Sequence, residues 1–198
     1  MAMKQSGFTI LELMVTVAIA AVLVSVAVPS MKTFLQNGRI VSATNDLVSS
    51  FSVARSEAIR QSNFSCVCAS TNPNDPAPVC SGANTWETGW VAFSDINGNC
   101  VFENGAQPDV LLKVWNGADM PPDFTIRNVN LVSNTVLFNS RGEPQQPNGR
   151  SQWGLFRVCD ERGLVFAGGS STTAAAVVLS PSGRARASRS ANQLTACP

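Results

Sequence analysis

The order of apolar and polar positions divides the chain into contrasting stretches. From Phe8 to Val28 nearly every residue is apolar, "FTILELMVTVAIAAVLVSVAV". A helix rises about 1.5 Å per residue, so this run reaches roughly 30 Å, one hydrocarbon core. After Pro29 the pattern turns amphipathic. Ile40, Thr44, Leu47, Phe51, Ala54 and Ala58 recur three or four residues apart, with Arg39, Asp46, Arg55 and Arg60 off that stripe. The spacing predicts one long helix to about Gln61, bent at Pro29 and Gly38, with its second half packed on a domain.

From Asn63 the helical period stops. Short strand-like runs follow: "FSCVCA", "GWVAFS", "VLLKVW", "FTIRNV", "TVLFN", "GLFRVC", "GLVFAG" and "AAVVLS". Gly, Asn, Asp and Pro separate them, and "PNDPAPVCSGAN" and "SRGEPQQPNGRSQ" read as loops. The pattern predicts an antiparallel sheet laid on the helix, an α+β domain. A chain of 198 residues leaves room for one such domain with a real core. No internal repeat is visible.

Glu12 sits inside the apolar run. A carboxylate there costs several kcal/mol and is a functional candidate by default. Ser25-Val26-Ala27 resembles a signal cleavage site, but a disposable signal core needs no carboxylate. A tolerated polar residue near the end of a plain anchor is the other reading. Lys4 is the only charge before Gly7, which keeps that end cytoplasmic and sends the bulk of the chain outward.

Net charge is +1, so the whole chain points to neither nucleic acid nor an acidic partner. Its distribution is uneven. Residues 61–126 carry −6, and residues 127–198 carry +5 with eight arginines. Such asymmetry marks either a polyanion-binding face or two surfaces that attract each other within the fold. The six cysteines are an even set and read as disulfides in an exported domain. They allow fifteen pairings. We take Cys159–Cys197, which would tie down the C-terminus, then Cys68–Cys80, leaving Cys66–Cys100.

The chain has no histidine, which removes Ser-His and Cys-His nucleophilic pairs. Cys66-Val67-Cys68 has a one-residue spacer, too short for a zinc knuckle. "DINGN" places Asp95, Asn97 and Asn99 at alternate positions, as in a calcium loop, but Cys100 and Ala106 stand where that loop needs Gly and Glu. A tight turn is the better reading. Trp86 and Trp90 read as core or rim aromatics. No enzyme, metal or cofactor is expected.

"SGFTILELMVTVAIAAVLVSVAVP" resembles the type IV pilin leader and N-terminal helix: a short basic leader ending in Gly7, then Phe8, Thr9-Ile10-Leu11, Glu12, an apolar run and Pro29. The resemblance implies leader residues 1–7, cleavage after Gly7 by a prepilin peptidase and N-methylation of Phe8. It also implies a membrane segment 8–28, an amphipathic helix half 29–61 and a disulfide-stabilised periplasmic or extracellular β-rich domain 62–198. Glu12 would meet the N-terminal amine of a neighbouring subunit, which makes a buried carboxylate tolerable. Partners implied are other minor pilins, the major pilin and the inner-membrane assembly platform. The implied location is the inner membrane, then the pilus at the cell surface.

Trp86, Gly89-Trp90-Val91, Phe93, Asp95 to Asn99, Phe138, Gly142, Cys159 and "SGRAR" are similar, in order, to the FimT/FimU and H-type minor pilins. Cys66 and Cys100 are additions to that group's simpler cysteine pattern. An H-type minor pseudopilin of a type II secretion system shares the same features. Near the C-terminus, "SPSGRARASRS" makes a turn at Pro181 and Gly183. If the chain leaves it extended, Arg184 and Arg186 share a face, and Arg189 joins them if the strand ends near Ser188. The element resembles the Gly-Arg-x-Arg stretch by which FimT-type pilins bind double-stranded DNA during uptake. Solvated surface charge is the plain alternative.

Overall fold

The computed structural model describes residues 8–105, 108–164, 166–167, 171–190, 193–194 and 196–197. Gly7 lies outside them. The helix α1 runs unbroken from Ile10 to Gln61, through both Pro29 and Gly38. By length and composition it is apolar enough to cross a membrane. Packing divides the chain into one unit up to Arg39 and another from Ile40 onward. In the first unit the apolar side chains are exposed, and exposure continues past Pro29 through Met31, Phe34 and Leu35. In the second unit Ile40, Thr44, Leu47, Phe51, Ala54 and Ala58 are all buried.

The second unit holds ten strands among the described residues: β1 (Phe64–Ala69), β2 (Gly89–Asp95), β3 (Leu111–Asn116), β4 (Thr125–Asn130), β5 (Thr135–Phe138), β6 (Pro144–Gln145), β7 (Gly154–Cys159), β8 (Phe166–Ala167), β9 (Ser171–Leu179) and β10 (Ala185–Ser190). They form two antiparallel sheets rather than one. The first has the order β3-β2-β1-β5-β6; the second has β10-β9-β7-β4, with β8 on β9. Each strand-like run yields a strand; among the described residues of "GLVFAG" this is β8. β6 lies in an expected loop. β10 is the extended segment after the Pro181–Gly183 turn, rich in Arg and Ser, with Ala185 and Ala187 as its only apolar residues.

Alternation explains how both sheets share one core. Val67, Ala69, Trp90, Ala92, Val136 and Phe138 of the first sheet join Ile126, Phe156, Val158, Val177 and Leu179 of the second, together with the helix stripe. Phe51 stands at the centre, with ring centroids 5.1 Å from Phe156 and 6.3 Å from Trp86. The indoles of the core keep partners: Trp90 Nε1 donates to Ser50 Oγ at 2.9 Å and Trp86 Nε1 to Asn128 Oδ1 at 3.2 Å.

The opposite faces are covered by cystine-tied segments. Cys66 and Cys68 point away from the helix and pack with Val91, Phe93 and Leu137. Cys66 bonds Cys100, and Cys68 bonds Cys80. On the second sheet, Cys159 bonds Cys197, and Leu194 is fully buried on Cys159, Ala174 and Ala176. These are the three pairs named above, and no described cysteine is free.

Candidate functional site

The β9–β10 hairpin tip carries the basic candidates. Gly183 N–H donates to Ser180 O at 2.9 Å, and Ser180 N–H to Arg184 O at 3.0 Å. Pro181 after the first position and a left-handed Gly183, φ +77, close a three-residue loop. A side chain at Gly183 would run into the carbonyl oxygen of Gly142 and come within 2.9 Å of Arg55 Nε. Gly142 is itself left-handed, φ +75, in the turn after β5. Arg55 on α1 ties the two turns together, its Nε donating to Gly142 O at 3.1 Å. Arg55 is thus a positioning residue that the helical pattern hid, since it read only as a position off the stripe.

Past the turn, Ala185 pairs with Leu179 and faces the core, while Arg186 pairs with Val178 and is exposed. Arg184, one position before the strand, is exposed with Arg186 on the face away from Ala185. β10 does not end near Ser188 but runs to Ser190, with a register shift between those two residues. Alternation alone therefore does not bring Arg189 onto the face of Arg186, although Arg189 is exposed.

Of the other arginines of this half, Arg150 is likewise exposed, with no carboxylate partner among the described residues, and the rest are held differently. Arg127 pairs with Glu87, Arg141 with Glu143, and Arg162 with Asp160, while Arg157 donates to Ala196 O at 3.2 Å. Among the described residues, the guanidinium groups of Arg184, Arg186 and Arg189 have no carboxylate partner.

The acidic turn after β2 shows the opposite arrangement. Asp95 is buried, and its oxygens accept Gly98 N–H at 2.8 Å and Cys100 N–H at 2.7 Å. Asn97 Oδ1 accepts Asn99 N–H, and Asn99 Oδ1 accepts Val101 N–H. Asp109 accepts Ile96 N–H and Glu103 N–H. Burial raises the pKa of Asp95 above the usual carboxylate range, against the pull of the Cys100 and Gly98 N–H groups. The oxygens that a calcium loop would offer are turned on the turn's own backbone. Cys66, Asp95 and Cys100 lie close together, but both sulfurs are spent in a disulfide.

At the other end of the chain, Phe8 is exposed and Glu12 occupies the first turn of α1. Its Oε2 accepts Thr9 N–H at 3.2 Å and Thr9 Oγ1 at 3.3 Å, and Thr9 Oγ1 accepts Glu12 N–H at 3.2 Å. Thr9-x-x-Glu12 is a capping box, a signal visible in the sequence and not used above. Trp86 and Trp90 are buried core residues.

A helix with a methylation-type N-terminus, leading into a β-rich domain, defines the pilin class. The prokaryotic N-terminal methylation motif matches residues 2–28. The model described as type II transport protein GspH matches residues 43–183, and the chain belongs to that family of minor pilins and pseudopilins. Two crystal forms of the Pseudomonas aeruginosa type IV minor pilin FimU share the fold, each with a TM-score of 0.50 and 19% identity over 79% of this chain and 98% of that one. No curated protein matches significantly in sequence. The family match ends at Gly183, so Arg184, Arg186 and Arg189 lie beyond it.

Proposed function

We propose that the chain is a minor pilin of a type IV pilus, near the filament tip, that captures double-stranded DNA through Arg184 and Arg186, with Arg189 assisting. It is cut after Gly7 by a prepilin peptidase, methylated at Phe8 and held in the inner membrane by residues 8–28. From there the assembly platform delivers it to the filament. Glu12 meets a neighbour's N-terminal amine there, among the major pilin and the other minor pilins. Residues 1–7, 8–28, 29–61 and 62–198 are then leader, anchor, linking helix and exported domain.

One observation carries the DNA reading. Arg184 and Arg186 are exposed on one face and, like Arg189 and Arg150, lack carboxylate partners among the described residues, while Arg127, Arg141 and Arg162 are paired. Free guanidinium groups on one face suit phosphates. Two or three contacts give weak, sequence-indifferent binding whose logarithm falls with log salt at a slope of roughly −2 to −3. The test is a DNA titration of the full chain in detergent, wild type against Arg184→Gln/Arg186→Gln. Loss of binding in the variant supports the reading; unchanged binding, or none in the wild type at low salt, overturns it. The family's description as a type II transport protein favours a second reading, an H-type pseudopilin without DNA. Stable assembly only with secretion pseudopilins would establish it.

A further inference from the structure

The hairpin arginines share their sheet face with an aromatic side chain. Gly154 pairs with Leu179, and Leu179 with Ala185. Carried one position past the paired residues, the register aligns Trp153, Ser180 and Arg184, each just outside its strand. Leu155, Val178 and Arg186 form the row on the other side of Gly154. These two rows face away from the core that Leu179 enters. Strands lie about 4.8 Å apart, so Trp153 and Arg184 are separated by about 10 Å of backbone. Trp153 is 45% exposed, whereas Trp86 and Trp90 are buried and Trp115 stacks on Trp90 at 4.0 Å.

Resting on the DNA reading above, we infer that this face, which holds duplex through its arginines alone, takes single-stranded nucleic acid more tightly through arginines and Trp153 together. An exposed indole offers a platform to any unpaired base, and guanidinium groups about one nucleotide away take the flanking phosphates. A duplex buries its base faces in its own stack and leaves Trp153 nothing to stack on. The site then engages strand ends or unpaired stretches, with no sequence preference beyond stacking strength.

The test uses the full chain in detergent with two probes of equal phosphate number, an oligothymidylate and a blunt duplex. The wild type should bind the single strand more tightly and lose tryptophan fluorescence on binding. Trp153→Ala should abolish that quenching and weaken single-strand binding by about tenfold, with duplex binding kept. Trp153→Phe should restore most of the affinity but not the signal. If the wild type prefers the duplex, or Trp153→Ala binds both probes as the wild type does, this inference falls while arginine-dependent binding stands. If the wild type binds neither probe at low salt, the DNA reading falls with it.

Discussion

Two turns at opposite ends of the charge range use their polar groups in opposite ways. In the acidic turn after β2, Asp95, Asn97, Asn99 and Asp109 accept backbone N–H groups from their own loop. In the basic turn before β10, backbone and small residues do the folding, and the arginines are left outward. The first turn spends its charge on structure. The second is shaped by Pro181, Gly183 and Ser180, so its charge is available to a ligand. Sign and density of charge do not separate the two cases; whether the lone pairs or donors are already used does.

The comparison is broken most heavily at the disulfide that holds the acidic loop. Cys66→Ala/Cys100→Ala should cost about 3 kcal/mol in denaturant unfolding, because the bond closes a sequence separation of 34 residues. Arginine-dependent DNA binding should survive in conditions where the variant stays folded. Gly183→Ala should cost about 2 kcal/mol, since the left-handed backbone and the Gly142 carbonyl both oppose a side chain. It should also weaken DNA binding, because the tip must shift from Arg55 and Gly142. By contrast, Arg184→Gln/Arg186→Gln should leave the melting transition within about 0.5 kcal/mol of wild type while removing most of the salt-dependent binding.

The smallest effect is read by carboxyl NMR titration. Asp95 should titrate above the usual carboxylate range, first because it is buried. Its folded state holds the proton more tightly than the unfolded one, so its contribution to stability falls as pH rises between the two pKa values. Glu143, beside the tip, is lowered by the Asn139 amide and then by Arg141. Its contribution is present above the unfolded pKa and lost as pH falls through the folded one. Opposite displacements of these two acids would sharpen the contrast; equal ones would remove it.

Much of this was legible in the residues. The stripe from Ile40 to Ala58 has one period and one buried face, so the sequence pattern and the packing coincide. Cys66-Val67-Cys68 puts both sulfurs on one side of β1 by alternation, with Val67 turned to the helix core. The division into two sheets was not legible, because alternation says which face is apolar but not which strand lies alongside. The extent of β10 was not legible for a related reason: it is an edge strand with little to bury, so no apolar period marks that it runs to Ser190. Arg55 and Trp153 were missed because their meaning comes from register and contact across 87 and about 30 residues of chain.

The two cysteines of β1 also bear on how the domain is made. They lie two positions apart on the same face, and their partners sit in different loops, 34 residues on for Cys66 and 12 for Cys68. During oxidation Cys80 meets both thiols at almost the same chain distance, so loop-closure entropy barely favours the correct one. The wrong choice, Cys66 with Cys80, leaves Cys68 and Cys100 without their native partners. Correction goes by thiolate attack through a mixed disulfide. Reaching the native pairing of these two neighbouring cysteines is thus a matter of exchange between bonds as well as of their first formation.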